Sequence, residues 1–233
     1  MMLAAMTASA QNLEVTAMGS YKSTWLFNKN ISDLGNIMDY SAGWGYSYGL
    51  GITWYFNKSI GVEVDGLYNL HTGAYTGTDS SNQLTYTSSV KLHSLDIPVL
   101  FKLRSKNGAF IEVGPQFSTI SAADFSFKQS NNDRTADATP YYSTSNVSAV
   151  LGFGEKIKLS GHFSMRVALR FEYGLTDLKG VDGFGQLLSD PKYYPNKAST
   201  NSAAGGFMIG FTYSFGAQED DSSNPAPPPA PPH

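Results

Sequence analysis

A strict two-residue alternation runs through residues 44–56, whose sequence is WGYSYGLGITWYF. Every second residue there is large and apolar or aromatic, while the residues between are mostly Gly, Ser and Thr. Side chains of a β-strand point alternately to opposite faces, so the pattern predicts a strand with one apolar face and one face of small side chains. Such a strand needs apolar surroundings on one side and crowded surroundings on the other.

The same alternation recurs along the chain and predicts eight strands between residues 11 and 216. Tight turns are predicted at 57–59, 104–108 and 160–162, and long polar loops at 27–42, 71–88, 119–145 and 178–201. The two kinds of connection alternate, so all the long loops lie at one end of the sheet and all the tight turns at the other. Strands of about 10 to 14 residues with such connections are typical of bacterial outer-membrane barrels.

The composition agrees with a membrane barrel and excludes other classes of protein. Charged residues make up only 15% of the chain, well below the roughly 25% of soluble domains. No run of about 18 apolar residues predicts a transmembrane helix, and a net charge of −3 offers no basic surface for nucleic acid. We therefore expect an all-β fold, an eight-stranded antiparallel up-and-down transmembrane β-barrel.

Aromatic residues concentrate near the ends of the apolar faces, as in the two aromatic girdles that mark the membrane interfaces. The predicted girdle residues are Trp44, Tyr46, Trp54, Phe56, Tyr173, Tyr213 and Phe215. In a soluble sandwich or a lipocalin, the apolar face would point inward instead. Glycines on the opposite face, such as Gly49 and Gly51, argue against a water-facing surface, because glycine weakens a strand unless the space beside it is crowded.

Charged residues fall almost only on the small face, which we expect to line a narrow lumen. The inward charges by alternation, six acids and six bases, are Glu14, Lys22, Glu63, Asp65, Asp96, Lys102, Glu112, Lys156, Lys158, Arg166, Arg170 and Glu172. The residues predicted to form one salt-bridge network are Glu63, Asp65, Asp96, Lys102, Glu112, Arg166, Arg170 and Glu172. Balanced charge favours a closed lumen, since a selective pore more often carries an excess of one sign.

The predicted strands contain the segments LHSLDIPVLFKL at 92–103, AFIEVGPQF at 109–117 and RFEYGLTDL at 170–178. In their order and spacing these segments resemble the small outer-membrane β-barrel proteins of the PorT-like type, which are typical of Bacteroidetes. The resemblance implies an outer-membrane barrel and brings no catalytic residues with it. The strand that closes on Phe215 also resembles the C-terminal signal of outer-membrane barrels, followed here by a tail as in OmpA-like proteins.

The two ends of the chain differ in composition from the strands. Residues 1–10, MMLAAMTASA, resemble the second half of a secretory signal with an A-x-A cleavage site, so we interpret them as a signal-peptide remnant. Residues 217–233 are acidic and then rich in proline, which predicts an extended periplasmic tail or linker. The barrel itself is predicted over 11–216. We expect it in the outer membrane of a Gram-negative bacterium, with both termini in the periplasm.

Candidate catalytic and metal-binding residues are few. The chain has no cysteine, and its four histidines lack the spacing of metal ligands. We therefore expect no catalytic site, no metal and no cofactor. An enzyme at the rim would have to use His71 with Asp79 and Ser80 in the same predicted loop, or His93.

The sequence predicts a non-enzymatic barrel with a plugged lumen, acting as a membrane anchor or as an accessory subunit of a larger secretion or assembly complex. Expected partners are outer-membrane lipid and lipopolysaccharide. Other outer-membrane or periplasmic proteins are expected to bind through the long loops and the Pro-rich tail. Two alternatives stay open: a narrow pore for small solutes, and a lipid-modifying enzyme at the rim.

Overall fold

The computed structural model describes residues 13–33, 37–79, 83–130, 132–180 and 198–215. The predicted signal-peptide remnant and the predicted Pro-rich tail both lie outside the described residues. The long-loop segment 181–197 also lies outside them.

The described chain is built from ten strands and two short helices. The strands are β1 (Leu13–Asn28), β2 (Asp39–Ser41), β3 (Gly43–Tyr55), β4 (Ile60–Thr78), β5 (Thr85–Arg104), β6 (Ala109–Gln129), β7 (Asn132–Asp137), β8 (Ser145–Ser160), β9 (Phe163–Gly174) and β10 (Thr200–Phe215). A four-residue α-helix, α1 (Lys29–Ser32), follows β1, and a 3₁₀ turn covers Thr139–Tyr141. Neither helix in this part of the chain is long and apolar enough to cross a membrane.

Eight of these strands close into a ring in the order β1, β3, β4, β5, β6, β8, β9, β10. Every neighbouring pair is antiparallel. β1 closes the ring by pairing with β10 along its whole length, from Leu13 opposite Phe215 to Asn28 opposite Thr200. Closure satisfies both edges of every ring strand. The predicted eight-stranded antiparallel up-and-down barrel is therefore confirmed.

The two faces of the wall differ as the alternation predicts. Along β3 the burial pattern alternates from residue to residue, with Leu50 and Trp54 exposed and Ser47 and Thr53 buried. Large apolar side chains stand on the outside of the ring, where Phe207 is 66% exposed to the surroundings. Small and charged side chains point into the lumen, where they pack beside a small buried apolar cluster of Met18, Leu67, Phe110, Ala168 and Met208.

Two of the predicted loops are largely strand, which corrects the predicted boundaries. The segment 71–88 continues β4 and β5 as a paired hairpin that extends to Thr78 opposite Thr85. The segment 119–145 continues β6 and then folds back as β7, which pairs with β6 outside the ring. Both segments are rich in Thr, Ser and Tyr, which pair well in a water-exposed sheet but do not repeat the lipid-facing alternation.

A hydrophobic cluster fills the barrel at its long-loop end. We call this cluster the apolar cap; its buried members are Leu26, Ile31, Met38, Tyr75, Val90, Leu92, Ile120, Ala123, Phe125, Ala138, Tyr142 and Leu178. The Tyr75 hydroxyl donates a hydrogen bond of 3.1 Å to the Leu26 carbonyl, which ties β4 to β1 across the cap. Burial raises the pKa of Tyr142. The loop end, predicted as solvated loops, thus has a packed core of its own.

Candidate functional site

Charged side chains from four strands meet in the middle of the lumen. β4 supplies Glu63 and Asp65, β5 supplies Lys102, β6 supplies Glu112, and β9 supplies Arg166 and Arg170. We call these six residues the central cluster. In the ring order β4 and β9 lie four positions apart, on opposite sides of an eight-stranded wall. The two arginines therefore reach across the full width of the lumen.

Arg166 and Lys102 each form ion pairs with the same two buried glutamates, Glu63 and Glu112. Arg166 lies 2.7 Å from Glu63 and 2.8 Å from Glu112. Lys102 lies 2.6 Å from Glu63 and 3.6 Å from Glu112. Both glutamate side chains have 0% exposure. Carboxylates buried this completely need charged partners at hydrogen-bond distance, because an unpaired buried charge is strongly destabilising.

Arg170 extends the central cluster toward the long-loop end. Its guanidinium lies 2.7 Å from Glu112 and 3.0 Å from Asp65. Within the described residues, Asp65 Oδ1 and Arg166 Nε have no hydrogen-bond partner. The cluster contains three acids and three bases, so it is neutral as a whole.

Glycines make room for these side chains. A Cβ atom on Gly152 would lie 2.6 Å from Oε1 and 2.7 Å from Cγ of Glu112. A Cβ atom on Gly51 would lie 2.2 Å from Oδ1 of Asp65 and 2.7 Å from the Met18 methyl carbon. The glycine-rich inner face of β3 and β8 therefore accommodates the long charged side chains of neighbouring strands.

One smaller ion set lies on each side of the central cluster. The set toward the tight turns is formed by Glu14, which binds Lys156 at 2.6 Å and Arg104 at 2.8 Å. Arg104 was assigned to a predicted turn, but it is the last residue of β5, and its guanidinium lies 4.0 Å from the ring centre of Tyr55. Lys158, predicted to point inward, is exposed beside an irregularity in the β8–β9 pairing. With Arg104 counted in place of Lys158, the lumen still contains six acidic and six basic side chains.

The two remaining residues of the predicted network lie apart from the central cluster. Glu172 accepts hydrogen bonds from Lys22 at 2.8 and 2.9 Å. Asp96 accepts hydrogen bonds from the Ser94 hydroxyl at 2.7 Å and from the Gln116 amide at 3.2 Å. In the described part of the chain Asp96 has no ion pair. The alternation placed both acids on the inner face, but which charges meet depends on the register around the whole ring.

The predicted girdle residues lie on the outer face at two levels. Trp54 and Phe215 are both opposite Leu13 in the strand register, at the tight-turn end. At the long-loop end, Trp44 stacks on Tyr21, which the prediction omitted, with ring centres 5.4 Å apart. The remaining predicted girdle residues, Tyr46, Phe56, Tyr173 and Tyr213, are also exposed on the outside.

The histidines considered for rim chemistry lie on opposite faces of the wall. His71 is buried in the lumen, and its Nε2 lies 3.0 Å from the Trp25 carbonyl. His93 faces outward, 2.7 Å from the Tyr68 hydroxyl through Nδ1 and 3.1 Å from Asp124 through Nε2. Ser80 lies outside the described residues. Among the residues that the structure describes, no group of three or more histidines or acids is arranged to hold a metal ion.

Asp79 lies apart from both histidines. It accepts a hydrogen bond of 3.4 Å from the Gln129 amide at the tip of the long hairpins.

A closed antiparallel ring with apolar side chains outside and paired charges inside is the architecture of a membrane-spanning β-barrel. Residues 9–180 match the family described as outer membrane protein β-barrel domain, and the chain belongs to that family. Membership implies a location in the outer membrane of a Gram-negative bacterium.

Several solved structures of outer-membrane proteins are similar to this chain at low sequence identity. OprG of Pseudomonas aeruginosa is 15% identical, with a TM-score of 0.44, covering 89% of this chain and 98% of that one. Neisserial surface protein A is 11% identical, with a TM-score of 0.43 and coverage of 87% and 97%. Ail of Yersinia pestis is 11% identical, with a TM-score of 0.39 and coverage of 87% and 100%. No curated protein matches this chain in sequence.

Proposed function

We propose that this protein is a non-enzymatic, non-conducting outer-membrane anchor that holds a folded head at its long-loop end. In this role it acts as an accessory subunit of a larger outer-membrane complex of the secretion or assembly type. The head consists of the long ends of β4, β5 and β6 with β7 and the apolar cap.

The observation that carries the proposal is the reach of Arg166 and Arg170 across the lumen. Both arginines start on β9 and end on acids of β4 and β6, and both are buried. Opening a path for solutes would separate these pairs, and removing one partner from a buried ion pair costs about 3–5 kcal/mol. The central cluster is therefore a stable barrier.

The apolar cap supports the same proposal from the other end of the barrel. A solute entering from the long-loop side would meet packed side chains such as Leu26, Val90 and Phe125 before it reached the lumen. Two barriers of different chemistry thus lie in series. This arrangement favours the anchor over the narrow pore.

The resemblance to the PorT-like type supports the accessory role. We propose on that ground that the protein is of the Bacteroidetes type. The exposed surface of the head, including the charged strand β7, is the proposed contact for another outer-membrane protein. The Pro-rich tail, on the periplasmic side in this arrangement, is proposed to reach a periplasmic partner. Outer-membrane lipid and lipopolysaccharide surround the apolar outer face.

Conductance in planar lipid bilayers tests the closed lumen. The full chain is inserted, and folding is checked by the heat-dependent mobility of barrels in gel electrophoresis. The expected result is no steady current, with a known porin inserted under the same conditions as the positive control. A steady open level for the folded wild-type protein would contradict the anchor and favour the pore.

Affinity capture from native membranes in mild detergent tests the accessory role. The wild-type chain is expected to recover a stoichiometric partner. Arg134→Glu reverses an exposed charge on β7, while Lys106→Glu makes the same change in a tight turn. Loss of the partner with Arg134→Glu but not with Lys106→Glu would assign the contact to the head. Recovery of no stoichiometric partner from wild type would contradict the accessory role.

A further inference from the structure

A cavity of about 30 Å³ lies in the lumen between the central cluster and the apolar cap. Its polar lining includes Asn69, Ser94, Asp96, Gln116, Ser118 and Glu172. One water molecule needs roughly 10–15 Å³ of such space, so the cavity has room for about two water-sized groups. A polar cavity of this size holds either ordered water or a small ion with water.

The charges around this cavity do not balance. Asp96 and Glu172 both line it, and Lys22 is held by both oxygens of Glu172. Asp96 is 1% exposed, and its hydrogen bonds come from the neutral groups Ser94 and Gln116. At the tight-turn end the imbalance is reversed, since Glu14 binds two cations. The formal charges of the lumen sum to zero, but among the described residues Asp96 has no cation at ion-pair distance, and Lys22, the cation that attracts it, is bound to Glu172.

The hydrogen-bond pattern at the cavity also leaves one buried acceptor without a partner. Asn69 is 5% exposed and donates its amide to Ser94 at 3.1 Å. Ser94 in turn donates to Asp96, so the proton of the Ser94 hydroxyl is not available to Asn69 Oδ1. Among the described residues Asn69 Oδ1 has no hydrogen-bond partner. A buried carbonyl oxygen without a partner, beside a carboxylate that makes no ion pair, is a site that attracts a cation.

His71, which also lines the cavity, does not supply the missing charge in the arrangement seen. Its Nε2 lies 3.0 Å from the Trp25 carbonyl, so this nitrogen carries the proton that it donates. A neutral imidazole has one N–H group, and here that group is donated to a carbonyl, so this hydrogen bond does not require a charged ring. Burial also favours the neutral form.

We propose that this cavity binds one small monovalent cation of about the size of sodium, held by oxygens of Asp96 and Asn69 and by water. One carboxylate without an ion pair matches one positive charge. A divalent ion such as calcium takes about 6–8 oxygen ligands, usually with several carboxylates. Here the second carboxylate, Glu172, is already bound to Lys22. This site goes beyond the anchor role and does not depend on it.

Thermal unfolding of the full chain in detergent micelles tests the site. The wild-type protein is measured in sodium chloride and in choline chloride at equal ionic strength, because choline is too large for the cavity. We expect the midpoint to rise with the logarithm of the sodium concentration above the Kd, by roughly 5 °C when sodium reaches about 100 times its Kd. Broadening of the ²³Na resonance by the protein provides a direct measurement of binding.

Two variants separate this site from general salt effects. Asp96→Asn keeps the shape and removes the charge, so its midpoint is expected to be the same in both salts. Asp124→Asn removes an exposed acid on the outer face and is expected to keep the sodium dependence. If Asp96→Asn does not fold, Asn69→Leu removes the unpartnered oxygen at similar volume and is expected to weaken sodium binding about tenfold.

Three outcomes would overturn the proposal. Equal wild-type midpoints in the two salts, without ²³Na broadening, would mean that the cavity binds no sodium. A sodium dependence that persists in Asp96→Asn would place the ion elsewhere. The wild-type midpoint could instead depend on pH and not on sodium. If Asp96→Asn removed that pH dependence, the site would bind a proton rather than sodium.

Discussion

The guanidinium of Arg166 donates two hydrogen bonds to the carboxylate of Glu63, at 2.7 and 2.8 Å, from the opposite side of the barrel. The two residues are 103 positions apart in the chain. β4 and β9 are not neighbours in the ring, so this pair joins two parts of the wall that share no backbone hydrogen bonds.

Removing one partner of this pair is expected to destabilise the folded barrel. Arg166→Met leaves Glu63 buried with Lys102 as its closest remaining base, and we expect a loss of about 3–5 kcal/mol in the free energy of unfolding. Urea unfolding in lipid vesicles, followed by tryptophan fluorescence, measures it. The double variant Arg166→Met with Glu63→Gln is expected to recover part of the loss. A single variant as stable as wild type would show that the pair is not structural.

The glycines of the inner face give a second prediction. Gly51→Leu would drive its side chain into Asp65 and Met18, so we expect a low yield of folded barrel from refolding into detergent. Gly66→Leu is the control, because a Cβ atom there meets nothing within 4 Å and points outward. Folding is read from the mobility of unheated samples in gel electrophoresis. Equal yields for the two variants would mean that the lumen is not crowded beside β3.

The alternation along the strands was sufficient to predict the barrel. Residues that face lipid are large and apolar, while residues that face a narrow lumen are small or polar. Residues 44–56 alternate between these two kinds of side chain. The extension of β4 to Thr78 and of β6 to Gln129 was not predicted, because these segments pack their inner face into the apolar cap and so do not continue the lipid-facing alternation. Favourable pairing of Thr, Tyr and Phe could have suggested these hairpins.

The individual ion pairs could be predicted only in part. The alternation placed eleven of the twelve predicted inward charges correctly, Lys158 being the exception, and six of the eight residues of the predicted network meet in the central cluster. Which charges meet depends on the stagger between strands, which a single sequence does not encode locally. Glu172 therefore binds Lys22, and Asp96 has no base beside it in the described chain. Arg104 was missed because a residue next to a turn signal was assigned to the turn.

The apolar cap predicts that the head can be loosened without unfolding the membrane-spanning part. Leu26→Ala removes a completely buried side chain, and we expect it to destabilise the head by about 2–5 kcal/mol. Phe27→Ala is the matched control, since Phe27 is the next residue and is exposed on the outer face. Limited proteolysis of vesicle-inserted protein should cut Leu26→Ala within the head faster than wild type or Phe27→Ala. Equal cleavage of the three proteins would mean that the cap does not stabilise the head.

The depth of the outer face in the membrane gives a fourth prediction. Leu50 lies opposite Ala17, near the middle of the lipid-facing register, while Trp54 lies opposite Leu13 at its tight-turn end. Arginine costs about 2–4 kcal/mol at the bilayer midplane and about 0–1 kcal/mol near the interface. Leu50→Arg is therefore expected to lose much more unfolding free energy in vesicles than Trp54→Arg. Equal losses would contradict the placement of the two levels of aromatic residues at the two interfaces.

The outer-face contact of Tyr68, His93 and Asp124 provides the test against a rim enzyme. The order hydroxyl, imidazole, carboxylate is one that nucleophilic catalysis uses, and here it lies on the outside of the wall at the long-loop end. Under the anchor proposal the three side chains form a polar contact between β4, β5 and β6, so His93→Gln should lower the stability slightly and change no lipid. Mass spectrometry of lipids incubated with wild type, His93→Gln and empty vesicles measures this. A lipid product made by wild type and lost in His93→Gln would show instead that the contact is a catalytic site.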